Sequence, residues 1–318
     1  MSVVVATFNR RDRLAGLIGA LAAQDIGEPF EVIVVDDASP DDTAMELQRL
    51  SEDAPFLRTI SLEANGGPAV ARNRGWREAA ASLVAFTDDD CKPEPGWLRA
   101  IVAGLGRADL VQGQTVPDPS TIRRHGPFGH SLEIRAETGF YETCNMGYRR
   151  WVLEKMHGFD EAFRHPFGED LDLAWRAKDA GCSSTFAPDA VVVHEVRPSD
   201  FVGYVRGLPR LEGLVRAVRL HPAMRAGLFR GTYYNEAHPR ALAVVASAIS
   251  LMAQPRSRTR WVATAGAVAW WSRAEMRVRR YPRVRKDWTW VLPLAGIADI
   301  AEIAVLARAS VRHRTLIL

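Results

Sequence analysis

Apolar, β-branched runs alternate with helix-like periodicity through residues 1–90, and this alternation constrains the fold more than any other feature. After the first run, Leu14, Leu17, Ile18 and Leu21 recur at the three- and four-residue spacing of a helix face. Strands that alternate with helices form a largely parallel sheet, and ligands bind at the carboxyl ends of its strands. The sequence therefore predicts an α/β fold with strands at residues 3–6, 31–35, 56–62 and 83–87.

Charge divides the chain into two parts. Residues 201–318 contain 20 Lys or Arg and six Asp or Glu, a formal charge of +14, whereas the other 200 residues contain 21 and 32, a formal charge of −11. A difference of this size indicates regions with different partners. We predict one domain over residues 1–205 and a basic, mainly helical region over residues 206–318. No zinc-finger spacing or aromatic-rich RNA-binding motif accompanies the basic charge, so nucleic acid is not an expected partner.

The cysteines and the N-terminal residues bear on the cellular compartment in which the protein acts. The three cysteines show no CxxC spacing, which argues against a disulfide framework or a zinc site and favours a reducing environment. The chain opens on a strand-like run at residues 2–6 rather than on a signal peptide. We therefore expect the protein to act in the cytoplasm.

Acidic residues follow two of the predicted strands directly. Asp36-Asp37 ends the second strand, and Asp88-Asp89-Asp90 follows the fourth. Three adjacent carboxylates repel one another unless a cation neutralises them, and Mg²⁺ or Mn²⁺ is the natural partner of such oxygen ligands. A solvated acidic turn is the alternative. The sequence contains neither GxGxxG after the first strand nor GxxxxGK[ST], so the common dinucleotide and P-loop motifs are absent.

A second acidic segment, Gly168-Glu169-Asp170-Leu171-Asp172, opens a predicted helix that ends near Gly181. A carboxylate on the first turn of a helix is well placed to act as a general base. The same residues could simply complement the helix macrodipole. The segment therefore indicates either a catalytic acid–base group or a favourable helix start.

Six short motifs in succession make residues 2–195 resemble family 2 glycosyltransferases of the GT-A fold. The six motifs lie at residues 3–10 (VVVATFNR), 32–39 (VIVVDDAS), 73–75 (NRG), 86–90 (FTDDD), 145–146 (NM) and 168–170 (GED). Any one of them is weak evidence, but six in order are specific. The resemblance implies a nucleotide-binding, mostly parallel mixed sheet flanked by helices. It also implies inverting transfer of a sugar from a nucleoside-diphosphate donor to an acceptor hydroxyl, with Mg²⁺ or Mn²⁺ as cofactor.

The resemblance also implies roles for individual residues. For the nucleotide it implies contacts from Ala6, Thr7, Asn9, Asp37, Arg72, Asp88 and Asp89, and for the metal it implies Asp90, Asp88 and His194. The second acid of the pair, Asp170, becomes the catalytic base, and Glu169 lies beside it. Asp89 is ambiguous because the acidic triple allows two registers of the DxD pattern. Arg72 can equally be a surface residue, and His194 a structural histidine. Asn145 becomes a candidate contact to the diphosphate or the sugar.

The basic region alternates apolar stretches at residues 241–253, 261–271 and 288–307 with arginine clusters at residues 256–260 and 277–286. The first two stretches are too short to span a bilayer, and the third contains Pro293, Asp299 and Glu302. Short helices flanked by Trp and Arg suit the headgroup region of an anionic membrane, with Arg279, Arg280, Arg283 and Arg285 among the expected headgroup contacts. A soluble helical cap is the alternative. We expect attachment to the cytoplasmic face of the cell membrane.

Two other functions remain open at this point. A nucleotidyltransferase shares the nucleotide and metal chemistry, although residues 7–12 lack the glycines of its usual loop. A binding protein could keep the GT-A fold without turnover, although it would not need to retain repelling carboxylates. For the enzyme, the expected acceptor is a cell-envelope glycan or a lipid-linked glycan.

Overall fold

The computed structural model describes residues 1–121, 126–129, 132–137, 139–279 and 288–318. The chain forms two compact units. Met1–Ile122 and Ser131–Val196 make up the first, which we call the N-terminal unit. Arg123–His130 and Arg197–Leu318 make up the second, which we call the helical unit.

The N-terminal unit contains strands that alternate with helices. Its strands are β1 (Ser2–Thr7), β2 (Glu31–Asp36), β3 (Leu57–Ser61), β4 (Leu83–Thr87), β5 (Cys91–Pro93), β6 (Leu110–Pro117), β7 (Asn145–Arg149) and β8 (Ser184–His194). Its helices are α1 (Arg11–Ala22), α2 (Thr43–Asp53), α3 (Pro68–Glu78), α4 (Trp97–Leu105), α5 (Arg150–Lys155) and α6 (Glu169–Asp179).

The strands form one mixed sheet in the order β3-β2-β1-β4-β7-β6-β8-β5. The pairs β2–β3, β1–β2, β1–β4 and β6–β8 are parallel, whereas β7 pairs with β4 and β6, and β5 with β8, in the antiparallel sense. This confirms the predicted mixed sheet. Strands β2 and β3 are added on one side of β1, and the chain then returns to place β4 on the other side of β1. Ligands of open α/β sheets bind at such a switch point, beyond the carboxyl ends of the strands.

Alternate residues of β1 pack into two separate cores, one on each face of the sheet. Val3 and Val5 lie in one cluster with the apolar face of α1, and Val4 lies in the other with residues of α3. Helix α3 comes very close to the sheet, since a Cβ on Gly75 would lie 2.4 Å from Cγ1 of Val4. Only glycine allows this contact, which holds the inward face of α3 against β1.

The helical unit contains α7 (Phe201–Gly207), α8 (Glu212–Leu220), α9 (Ala237–Ala253), α10 (Arg258–Val278) and α11 (Trp288–His313). Two short 3₁₀ segments, Leu208–Leu211 and Pro222–Gly227, flank α8. Within the described residues, α11 alone is long and apolar enough to cross a membrane, with a mean hydropathy of 1.8. Length and composition are the whole of that evidence, and a buried helix of a folded domain passes the same test.

A cluster of charged residues is buried in the helical unit; we call it the helical cluster and define it as His238, Glu275, Arg279, Asp299 and Glu302. Arg279 Nε donates to Glu275 at 2.5 Å and Nη2 donates to Asp299 at 3.4 Å. His238 Nε2 lies 3.0 Å from Glu302. Burial, together with the Glu275 charge, raises the pKa of Asp299 to about 7.

Arg279 is therefore a buried ion-pairing residue, and its predicted contact with lipid headgroups is wrong. It lies four residues after Glu275 on the same helical face, and Asp299 of α11 approaches it from another helix. Burying an arginine without these carboxylates would be very costly, so the pairing keeps it inside. The other three predicted headgroup contacts, Arg280, Arg283 and Arg285, lie outside the described residues.

Candidate active site

The carboxyl end of β1 is tied to the acidic turn after β4. The hydroxyl of Thr7 donates to Oδ2 of Asp89 at 2.8 Å, and Nε of Arg10 lies 3.7 Å from its Oδ1. Burial, together with the charge of Asp90, raises the pKa of Asp89 to about 7. Asp89 is thus engaged by residues at and beyond the end of β1, and the choice between the two DxD registers stays a prediction.

Asp90 and His194 lie together because of a short strand pairing. In the β5–β8 pair Cys91 stands opposite His194, and Oδ1 of Asp90 lies 3.7 Å from Nε2 of that histidine. One ligand atom from each of Asp90, Cys91 and His194 falls within 4.8 Å of the others. Burial raises the pKa of the Cys91 thiol well above its usual range. A thiolate is also a softer ligand than Mg²⁺ or Mn²⁺ prefers, so Asp90 and His194 are the better candidates.

The donor set of Asp90 and His194 fits a divalent ion such as Mn²⁺. Carboxylate oxygen and imidazole nitrogen are ligands that Mn²⁺ accepts. Within the described residues, the buried Nδ1 of His194 has no hydrogen-bond partner. Arg13 is the nearby competitor, with Nη1 3.8 Å from Oδ2 of Asp90 and Nε 3.0 Å from Glu195. A bound ion would therefore share the Asp90 carboxylate with an arginine.

Arg72 joins the two acidic motifs. Its guanidinium, buried on the inward face of α3, donates from Nη2 to Oδ1 of Asp88 at 2.9 Å and from Nη1 to Oε1 of Glu169 at 2.8 Å. Burial alone would lower the pKa of Arg72, but the charges of Asp88 and Glu169 raise it above its ordinary value. The side chain is only 8% exposed, so the alternative of a surface arginine is wrong. Asp88 faces this arginine, and its contact with a metal stays a prediction.

Glu169 and Asp170 occupy different environments although they are adjacent. Both oxygens of Glu169 are engaged, Oε1 by Arg72 and Oε2 by the backbone N–H of Phe167 at 2.9 Å. In Asp170, Oδ1 accepts from the N–H groups of Leu171 at 2.9 Å and Gly168 at 3.3 Å. Within the described residues, no hydrogen bond to Oδ2 of Asp170 is found. Burial and the adjacent Glu169 raise the pKa of Asp170 well above its ordinary value, although Arg72 opposes the shift.

The backbone before α6 is unusual. Phe167 has φ +103° and Gly168 has φ +119°, and the first of these values is strained for a residue with a side chain. The same loop packs on the Gly66-Gly67 turn, since a Cβ on Gly67 would lie 2.5 Å from the carbonyl oxygen of Arg164. Strained backbone of this kind concentrates at functional sites, so it supports a functional role for the start of α6.

The remaining predicted nucleotide residues lie around the ends of β1 and β2. Asp37 is buried, and its two oxygens accept from the N–H groups of Gly66 and Gly67, each at 2.8 Å. Burial raises the pKa of this carboxyl. Asn9 is exposed in the left-handed region with φ +56°, and its N–H donates to Ser39 Oγ. Ala6 is partly buried in β1. Nucleotide contacts from these residues stay predictions.

Sequence reasoning erred on one residue and overlooked another. Asn145 is fully buried, and its side-chain amide makes three hydrogen bonds inside the core. Its oxygen accepts from Trp97 Nε1, and its nitrogen donates to the carbonyl groups of Gln114 and Ala190, each at 2.8 Å. Its predicted contact with the diphosphate or sugar is therefore wrong. Arg13, beside Asp90, was not predicted. The three arginines at positions 10, 11 and 13, shortly after the first strand, could have indicated it, because that strand ends where ligands bind.

Solved structures define the class of this fold. Staphylococcus aureus TarS 1-349 in complex with UDP-GlcNAc aligns with a TM-score of 0.56 at 20% identity, over 99% of this chain and 92% of TarS. Mannosyltransferase PcManGT from Pyrobaculum calidifontis, in complex with GDP-Man and Mn²⁺, aligns with a TM-score of 0.53 at 20% identity, over 98% of this chain and 81% of that one. The protein has the GT-A glycosyltransferase fold.

Sequence comparisons give the family. Residues 2–156 match the glycosyl transferase family 2 model. Glycosyltransferase AglE of Haloferax volcanii is 28% identical over 62% of this chain and 67% of its own length. The succinoglycan biosynthesis protein ExoO of Rhizobium meliloti is 28% identical, over 68% and 66%. Validoxylamine A glucosyltransferase of Streptomyces hygroscopicus subsp. jinggangensis is 27% identical, over 72% and 63%. The chain thus spans about two thirds of these relatives, and its residues 2–156 carry the match to glycosyl transferase family 2.

Proposed function

We propose that the protein is a metal-dependent, inverting glycosyltransferase that moves a sugar from a nucleoside-diphosphate donor to an acceptor hydroxyl, with Asp170 as the general base. The observation that carries this proposal is the contrast between Glu169 and Asp170. An inverting transfer needs a carboxylate that takes the acceptor's proton as the oxygen attacks the anomeric carbon. Glu169 has both oxygens in hydrogen bonds, whereas among the described residues Oδ2 of Asp170 receives none. Burial and the adjacent Glu169 raise the pKa of Asp170, which makes its carboxylate a stronger base.

The donor is proposed to bind at the edge formed by β1, β2 and β4. Ala6, Thr7, Asn9 and Asp37 are the proposed contacts for the base and ribose. Asp90 and His194, with Asp88, would hold Mg²⁺ or Mn²⁺, which supplies positive charge for the diphosphate leaving group. The donor complexes of TarS and PcManGT support this choice of ligand class.

Arg72 is proposed to position carboxylates rather than to bind phosphate. Its two terminal nitrogens donate to Asp88 and Glu169, while its buried Nε has no hydrogen-bond partner among the described residues. By holding Glu169 in place, it leaves Asp170 as the carboxylate proposed to accept the proton.

The acceptor is proposed to be a cell-envelope or lipid-linked glycan at the cytoplasmic face of the membrane. Residues 1–205 would carry the transfer and residues 206–318 the attachment. The basic, apolar composition of the second region supports this acceptor, and so does the name of the ExoO relative, a succinoglycan biosynthesis protein. The validoxylamine A glucosyltransferase relative is named for a different acceptor, so a soluble acceptor is the competing outcome.

A nucleotide-sugar screen tests the proposal. The purified chain is incubated with UDP-, GDP- and TDP-sugars, and donor binding and release of nucleoside diphosphate are measured with Mn²⁺ and with EDTA. The family match favours glycosyl transfer over nucleotidyl transfer. We expect binding and slow hydrolysis of one donor class, both lost in EDTA. Binding without hydrolysis or transfer to any acceptor would instead support a non-catalytic binding protein, and full activity in chelator would contradict the metal assignment.

A further inference from the structure

Helices α9 and α10 form a hairpin with a largely apolar outer surface and no acidic residue over residues 237–274. Thr264 Oγ1 of α10 contacts the Ser247 carbonyl oxygen of α9, so the two helices pack on each other. Away from that seam apolar side chains stand in solvent, with Ile249 57%, Met252 72% and Val262 72% exposed. Soluble proteins rarely leave so many neighbouring apolar side chains uncovered unless something binds there.

Helix α11 presents a second apolar face. Trp290, Pro293, Ile297, Ile300 and Ala304 follow one another at three- and four-residue spacing, and all five are exposed. The opposite side of this helix carries Asp299 and Glu302, which are buried in the helical cluster. The apolar character that gives α11 its high hydropathy is thus partly on its outer surface. Because its acids are paired with other helices of the unit, the folded helix is bound into the unit and does not stand alone as a membrane span.

Charge distinguishes between possible occupants of these surfaces. Residues 237–274 contain five arginines and no aspartate or glutamate. Arg256 and Arg258 are exposed at the turn between α9 and α10. If a second copy of the chain covered the same hairpin, arginines would meet arginines with no acid in the hairpin to pair with. The surface of an anionic membrane suits both features of the hairpin: the apolar side chains can insert among the lipids, and the negative headgroups attract the arginines.

We propose that the outer faces of α9, α10 and α11 bind the surface of an anionic phospholipid bilayer, with the helices lying in the plane of the headgroups. Three tryptophans are exposed on these helices. Trp261 lies near the turn between α9 and α10, Trp270 lies further along α10, and Trp290 lies on α11. Tryptophan favours the depth at which headgroups meet acyl chains. The inference deepens the membrane-side acceptor proposed above. The test measures binding to vesicles and needs no catalytic activity, so a failure of the membrane proposal can be told apart from a failure of the catalytic proposal.

The test is flotation of the full chain with vesicles of phosphatidylglycerol and phosphatidylcholine, compared with vesicles of phosphatidylcholine alone. One variant, Ile249→Gln with Met252→Gln and Val262→Gln, removes apolar contacts. Its control changes exposed apolar residues elsewhere: Met45→Gln, Val202→Gln and Leu220→Gln. A second variant, Arg256→Gln with Arg258→Gln, removes charge, and its control is Arg99→Gln with Arg107→Gln. Thermal unfolding of each variant verifies that the fold is kept.

We expect the wild type and both controls to float with anionic vesicles and to detach in 1 M salt, where the Debye length is about 3 Å. Each hairpin variant should bind on the order of tenfold more weakly. Equal flotation of the hairpin variants and their controls would overturn the proposal. Failure of the wild type to bind would also overturn it. If the wild type were in addition a dimer that the apolar variant dissociates, the surface would be an interface between copies.

Discussion

Each unit of this protein buries a cluster of carboxylates with arginine and histidine, and the two clusters differ in how accessible their carboxylates are. In the helical cluster, Asp299 receives hydrogen bonds from Trp271 at 2.7 Å and from Arg279, while Glu302 contacts His238 and Tyr204. At the edge of the sheet, Asp88 is 28% exposed, and Asp170 keeps one oxygen without a hydrogen bond among the described residues.

The two clusters also differ in the elements that carry them. The sheet-edge carboxylates follow strand ends or open a helix, where chain turns leave one side accessible. The helical cluster draws on the start of α9, the last turn and C-cap of α10, and the interior of α11. Both clusters contain three groups close enough to hold a metal ion. Burial and charge alone therefore do not identify a reactive site, and neither does a missing hydrogen bond, since Oε1 of Glu275 in the helical cluster also lacks a partner among the described residues. The difference is access, because Asp88 is partly exposed whereas the side chains of Glu275 and Asp299 are fully buried.

The largest effect is expected from Asp170→Asn. The change keeps the shape but removes the proton acceptor, and loss of a general base costs on the order of 10²–10⁴ in rate. We expect kcat to fall by that factor while donor binding, measured by calorimetry, stays nearly unchanged. Glu169→Gln should weaken the link to Arg72 but keep measurable transfer. If Glu169→Gln were the inactive variant and Asp170→Asn stayed active, the base would be the other acid.

A large loss of stability is expected from Arg279→Met in the helical cluster. The substitution leaves Glu275 and Asp299 buried without their cation, and breaking a buried ion pair costs about 3–5 kcal/mol. Chemical denaturation followed by circular dichroism measures the change. Arg277→Met is the control, since its ion pair with Glu236 lies at the surface and should matter little. Equal stability of the two variants would show that the helical cluster is not structural.

A smaller, pH-dependent effect is expected from Asp299. Its pKa is raised to about 7 in the folded chain, so the folded state holds a proton that the unfolded state has lost above about pH 4. Stability should therefore fall as pH rises from about 5 to 7, by a few kcal/mol at most. Asp299→Asn cannot ionise and should flatten this slope in urea denaturation. A slope unchanged by the substitution would contradict the assignment.

The sequence predicted the sheet well because buried strands need continuous apolar runs, and β1, β2 and β4 have them. It did not predict β5, a three-residue strand that contains Pro93 and is defined by its pairing with β8. That pairing is what brings His194 beside Asp90.

Side-chain environments were harder to predict than elements. Nothing local distinguishes Glu169 from Asp170, because the difference comes from Arg72, 97 residues away in the chain. Arg279 looked like one member of a basic cluster. Its burial depends on Asp299 and Glu302, which only the packing of α11 brings close. The spacing of Glu275 and Arg279 by four residues was the available sign of an ion pair.

Binding of Mn²⁺ to the full chain, followed by electron paramagnetic resonance with a saturating nucleoside diphosphate, tests the contrast between the two clusters most directly. We predict one tightly bound ion, lost in Asp90→Asn and weakened in His194→Gln, but retained in His238→Gln, whose residue belongs to the second group of potential ligands. Retention in Asp90→Asn together with loss in His238→Gln would contradict the account, because the metal would then bind in the helical cluster rather than at the edge of the sheet.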